Sequence, residues 1–144
     1  MYKTGWIDEP LYSKIKQVMP LPCVDLLIVN KGRLLLMKRT NAPGKGLWFT
    51  PGGRIYKGES LETTVKRVLR EETGFYPDSF KQVGAMSHDW AEVQTITVFY
   101  RVNVSTDMPE MNEEHEEYKW IEEVDDDIHP YIIYMIEKIG IFKP

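Results

Sequence analysis

The chain has one cysteine, no long apolar run and no surplus of positive charge, and each shortage narrows what it can be. Cys23 has no partner for an internal disulfide. With no basic-then-apolar leader at the start, that points to a reducing, cytoplasmic setting. The longest apolar stretches, Leu26 to Val29 and Leu34 to Met37, have the length of strands, so no membrane span is expected. Eighteen Lys and Arg against 22 Asp and Glu leave a net charge of -4, which argues against a nucleic-acid partner, since a large footprint needs a basic face. A small phosphorylated ligand needs only a few local cations. No repeat, linker or low-complexity segment stands out, and 144 residues suit one domain with a sizeable core.

What is present centres on Gly53 to Phe75, GRIYKGESLETTVKRVLREETGF. Ser60 is an N-cap, Glu62 supplies first-turn negative charge and Gly74 is a stop, so the spacing predicts a helix over Leu61 to Thr73. Leu61, Val65, Val68 and Leu69 form its apolar stripe, and Glu72 falls on that stripe with Glu71 beside it. Two carboxylates in the last turn oppose the helix dipole, and one of them points among apolar neighbours. A divalent cation held by carboxylate oxygens would account for this; a solvated helix end is the bland alternative.

The order Gly53, Glu59, Arg67, Leu69, Glu71, Glu72, Gly74 and Phe75 resembles the Nudix box, with Val68 where that pattern has a glutamate. Within the Nudix family the chain is most similar to GDP-mannose mannosyl hydrolases. KRTNAPGKGLWFTPGGR (Lys38 to Arg54) looks like their loop into the box, EEHEEYKW (Glu113 to Trp120) looks like their histidine segment, and they too carry an apolar residue where Val68 stands. The resemblance implies an α/β fold, a Nudix-type α/β/α sandwich with a mixed β-sheet, over a single domain 1–144. It implies Mg2+, with Mn2+ as an alternative, on Glu72, the Gly52 carbonyl and Glu114; Glu71 matches the general box and would hold a second ion or tune the first. It also implies Asp25, Arg39 and Arg54 as substrate ligands and His115, Arg39 and Arg67 as catalytic groups.

Along the chain, Glu9 to Met19 reads as a short amphipathic helix that packs on the domain or on a partner chain, the latter suggesting a homodimer. Cys23 to Val29 and Leu34 to Lys38 read as an antiparallel hairpin about Asn30-Lys31-Gly32. Asp25 interrupts the first strand, either at an exposed end or as a functional acid; Cys23 reads as packing. Thr40 to Leu47 is a loop, Trp48 to Thr50 a brief strand, and Lys38, Arg39, Lys45 and Arg54 gather around the glycine turn. Phe80 to Met86 and Thr95 to Val104 are strands with Ser87 to Gln94 as their connection, which holds no match to the mannosyl hydrolases' active-site tyrosine. Ser105 to Glu117 reads as an acidic loop, Tyr118 to Ile121 as a strand, and Pro130 to Ile139 as a helix with Ile132, Ile133, Ile136 and Ile139 inward. His88 and His129 read as isolated surface or structural residues.

The function expected is Mg2+-dependent hydrolysis of a nucleotide sugar such as GDP-mannose, with His115 either a solvated residue in an acidic loop or the general base for attack at the anomeric carbon. Pyrophosphohydrolysis at phosphorus is the rival, and a non-catalytic ligand sensor, prompted by Val68, is a third reading.

Overall fold

A computed structural model describes residues 5–40, 46–90, 93–110 and 115–142. The elements run α1 (Leu11–Val18), β1 (Leu21–Asn30), β2 (Arg33–Arg39), β3 (Trp48–Phe49), β4 (Gly52–Arg54), α2 (Leu61–Thr73), β5 (Ser79–Trp90), β6 (Val93–Asn103), β7 (His115–Ile121) and α3 (Pro130–Ile139). The seven strands form one mixed sheet in the order β3-β2-β1-β6-β5, with β4 also on β1 and β7 also on β2. β1 is its axis: parallel to β6 and antiparallel to β2 and β4.

Strand alternation sorts the core into two halves. Val24, Leu26 and Ile28 of β1, with Leu35 and Met37 of β2, pack against Val65, Val68 and Leu69 of α2. Leu27 and Val29, with Leu34 and Leu36, pack instead with Ile132, Met135 and Ile136 of α3. The sheet is thus sandwiched between α2 and α3, the α/β/α arrangement expected. Asp25 shares its alternation with Leu27 and Val29, so it belongs to the α3 face.

The box helix has the expected bounds. Ser60 Oγ accepts from Thr63 N–H, and Gly74 closes the end at φ 75° in the left-handed region that favours glycine. α3 also keeps its bounds, with Pro130 at its first position and the His129 side chain accepting from Tyr131 N–H. Tyr131, Ile132, Met135 and Ile136 are its buried residues; Ile133 and Ile139 pack at the edge.

Two expectations are corrected. Ser87 to Gln94 is not a connecting loop: β5 and β6 continue as a ribbon, with Ser87 opposite Ile96, His88 opposite Thr95 and Asp89 opposite Gln94. Its polar side chains suit a solvated ribbon, and cross-strand pairing satisfies its backbone. Likewise His115, Glu116 and Glu117 belong to β7 and not to the acidic loop. β7 pairs only with β2 among the described residues, and edge strands tolerate charges of this kind. Among the described residues no helix is long and apolar enough to cross a membrane.

Candidate active site

The turn between β3 and α2 is built around the lack of a side chain at Gly52. A Cβ there would lie 2.0 Å from Asp25 Oδ1 and 2.8 Å from the Val24 carbonyl oxygen. Only glycine lets β4 seat against β1 with Asp25 between them. A Cβ on Gly53 would meet Val68 Cγ2 at 3.0 Å, so the residue standing in place of the box glutamate is part of the floor under the turn, and it is buried.

Glu59 and Arg67 fasten this turn to α2. Arg67 Nε donates to Glu59 Oε2 at 2.6 Å and Nη2 to Oε1 at 2.9 Å. Nη2 also donates to the Arg54 carbonyl at 2.7 Å, and Nη1 to Glu71 Oε2 at 3.1 Å. The ring of Tyr56 lies 3.6 Å from the guanidinium carbon. Glu59 accepts further from Tyr56 N–H and the Thr64 hydroxyl. The bond from Arg67 and its companions hold the Glu59 carboxyl below its ordinary pKa. Arg67, expected to be catalytic, therefore has its donors engaged by the fold in holding the turn.

Two cavities adjoin along β4. The first, about 370 Å³, reaches over the α3 face of the sheet and is lined by Asp25, Arg39, Thr50, Thr97 and Tyr131. The second, about 450 Å³, lies under the N-terminal segment, with Trp6, Asp8, Tyr56, Arg67 and Glu71 on its walls. Gly52, Gly53, Arg54, Glu72 and Tyr12 line both. Arg54 is steered to this shared rim by donating to the Gly5 carbonyl and by lying over Tyr12 and Tyr56.

Glu72 is 8% exposed, on the apolar stripe as expected, whereas Glu71 projects outward beside Arg67. Asp25 is not at a strand end. It sits between β4 and β6, and burial pushes its carboxyl up to about 8, against the opposing pull of the Tyr131 hydroxyl that donates to it and of Arg39. Cys23, expected to be packing, lines the first cavity too; burial and the neighbouring Asp25 push its thiol up to about 12. Arg39 follows a register shift between Met37 and Arg39 in the β2–β7 pairing; beyond it the guanidinium lies over Phe49 at 5.7 Å. The same pairing sets Arg39 opposite His115. Glu114 and Lys45 lie outside the described residues.

The fold thus gathers Asp25, Arg39, Gly52, Arg54 and Glu72 on one cavity and Gly52, Arg54, Arg67, Glu71 and Glu72 on the other. His88 and His129, expected to be isolated, meet edge-on with ring centres 5.6 Å apart, and the ring of Tyr131 lies tilted against His88 at 4.1 Å. Burial lowers both imidazole pKa values, and each histidine adds to the ring cluster that seats α3. Tyr131 and Thr50 were not read as site residues. The signal for Tyr131 was its position one residue before Ile132 and four before Met135, which puts it on the inward face of α3.

A carboxylate-bearing helix end beneath a glycine turn, with arginines reaching it from β2 and β4, is the arrangement of a hydrolase of phosphate-linked small molecules. The chain belongs to the NUDIX domain family, whose pattern matches residues 19–129, and it is a Nudix hydrolase. It is 34% identical over 137 residues to the low-salt glycan biosynthesis protein Agl8 of Haloferax volcanii, covering 90% of this chain and 88% of that one. An ADP-ribose pyrophosphatase of Methanocaldococcus jannaschii is 40% identical over 68 residues, which is 47% of this chain and 40% of that protein. The crystal structure of a MutT NUDIX hydrolase from Burkholderia pseudomallei superposes with a TM-score of 0.76 at 26% identity, over 84% of this chain and 98% of the other.

Proposed function

We propose that the protein, acting as one domain over 1–144 in a cytoplasmic setting, hydrolyses a nucleoside diphosphate linked to a sugar, GDP-mannose being the first to test, and releases the nucleoside diphosphate and the free sugar. The observation that carries this is the strand register that sets His115 opposite Arg39, whose guanidinium lines the first cavity together with Asp25. A base on the strand beside Arg39 supports attack at the sugar rather than chemistry at the box. The buried Val68 removes a carboxylate that chemistry at phosphorus could use.

Glu72, Glu71 and Glu114, with the Gly52 carbonyl, are the groups that would hold Mg2+ or Mn2+; Glu72, buried against its own helix dipole, is the residue that fits a cation best. Bound there, the ion would screen charge growing on the leaving diphosphate. Arg39 and Arg54 bind the diphosphate oxygens and stabilise the same charge from the sheet side. Arg67 holds the turn and Glu71 in place. Asp25 orients the sugar. His115 accepts the proton of the attacking water, and His115→Gln lowers the rate by about 10²–10⁴-fold, the usual worth of a general base.

Turnover in 18O-labelled water tests this: label in an inverted free sugar supports cleavage of the carbon–oxygen bond. The second reading, hydrolysis at phosphorus, is favoured by the 40% identity to an ADP-ribose pyrophosphatase over 68 residues; it requires label in the phosphate and full activity in His115→Gln. Turnover of any nucleotide sugar with Mg2+ removes the sensor reading.

A further inference from the structure

Thr50 poses a question that packing does not answer. The residue is 6% exposed, lines the first cavity, and its Oγ1 is buried without a hydrogen-bond partner among the described residues. An unsatisfied buried hydroxyl is destabilising. Valine has the same branched shape and no polar atom to bury, so packing alone would favour valine at this position. A turn of about 120° about χ1, from one staggered well to another, carries the oxygen to the place of the methyl group.

Its surroundings on the α3 face have the same character. The Tyr131 hydroxyl donates to the Asp25 carboxylate and is bonded to the hydroxyl of Thr97. Thr97, 2% exposed, is in turn within 3.2 Å of the Thr95 hydroxyl. Each hydroxyl is both donor and acceptor, which matches a ligand whose own groups are hydroxyls. The second cavity is walled differently, adding the rings of Trp6 and Tyr56 and the side chain of Ile7, surfaces suited to a flat base. Both cavities meet at Arg54 and Glu72, where a diphosphate would cross. At about 370 Å³ the first cavity falls in the range of roughly 300–1,000 Å³ typical of small-molecule sites.

We propose that Thr50 and Tyr131 are specificity-determining residues that recognise the hydroxyl groups of the sugar half of the ligand in the first cavity, Thr50 by a direct bond and Tyr131 by fixing Asp25. This rests on the reading of the substrate as a nucleotide sugar. It adds the residues that select the sugar and the orientation of the ligand across β4.

Calorimetric titration tests it, using the full chain with Ca2+ in place of Mg2+ to hold back turnover. The probes are GDP-mannose, UDP-glucose and ADP-ribose, each beside its bare diphosphate GDP, UDP or ADP. The wild type should bind one sugar-bearing ligand more tightly than the matching diphosphate. Thr50→Val and Tyr131→Phe should each weaken that ligand by up to about tenfold, the worth of one hydrogen bond, and leave the bare diphosphate within about twofold. Ligand-free Thr50→Val should melt at or above the wild-type temperature. Equal losses on both members of a pair, or no loss on either, would overturn the proposal. Equal wild-type affinity for sugar-bearing and bare diphosphates would overturn it too, while leaving hydrolysis of a diphosphate link intact. Failure to bind either member of any pair would remove both readings.

Discussion

Glu72 is placed where stability by itself would not put a carboxylate: in the last turn of α2, against the dipole, at 8% exposure. Glu72→Gln should therefore abolish Mg2+-dependent turnover and leave the metal-free melting temperature unchanged or raised, as differential scanning calorimetry with EDTA would read. An active Glu72→Gln protein contradicts the assignment. Cys23 offers a second check at this scale. With its folded pKa raised to about 12, the thiol stays protonated up to that pH, so iodoacetamide at pH 8 should label it far more slowly than a free cysteine of pKa about 8.5, and unfolding in urea should restore the rate. Glu72 was legible in the sequence because a helical stripe of period 3.6 can be counted. Asp25 was half legible: its place in an apolar run is visible, but β4 pressing its glycine onto that carboxylate is a long-range contact that no local pattern reports. Thr50 was illegible as a site residue and Tyr131 legible only as an inward residue of α3, since their meeting across one cavity depends on two elements far apart in the chain.

At the scale of elements, the brace between the glycine turn and α2 is the feature most open to measurement. Glu59 titrates below the ordinary carboxylate value in the folded state, chiefly through Arg67. A depressed folded pKa contributes stability above the unfolded value of about 4.3 and loses it as pH falls through the folded value. Glu59→Gln should thus lower the urea midpoint near pH 7 and shrink the difference from wild type towards pH 3; an unchanged difference across that range would detach Glu59 from the pH dependence. Ser60→Ala removes the cap on Thr63 N–H and should cost about 1 kcal/mol in the same assay, with the slope of the transition unchanged. The bounds of α2 and α3 could be read because their ends carry Ser60, Pro130 and the two closing glycines. The ribbon of β5 and β6 and the start of β7 could not, because polar strand ends satisfied by a neighbour look like loops until the neighbour is known.

For the molecule as a whole, the sandwich was legible in outline: β1 alternates apolar residues to two faces, and two amphipathic helices are available to cover them. The homodimer remains a proposal resting on α1, which has no buried residue and leaves Val18 and Met19 exposed, with Trp6 exposed nearby. Light scattering at micromolar concentration should give twice the chain mass; a value near 16.9 kDa contradicts it.

The rim common to both cavities has a further consequence. A ligand that fills the two sites through one covalent link holds on by both ends, each end raising the effective concentration of the other. Cleavage cuts that tether. The two fragments then depart independently, each retained only by its own contacts, so the bond that breaks is also the latch that keeps the ligand in. An analogue with a non-hydrolysable link should dissociate far more slowly than either fragment added alone.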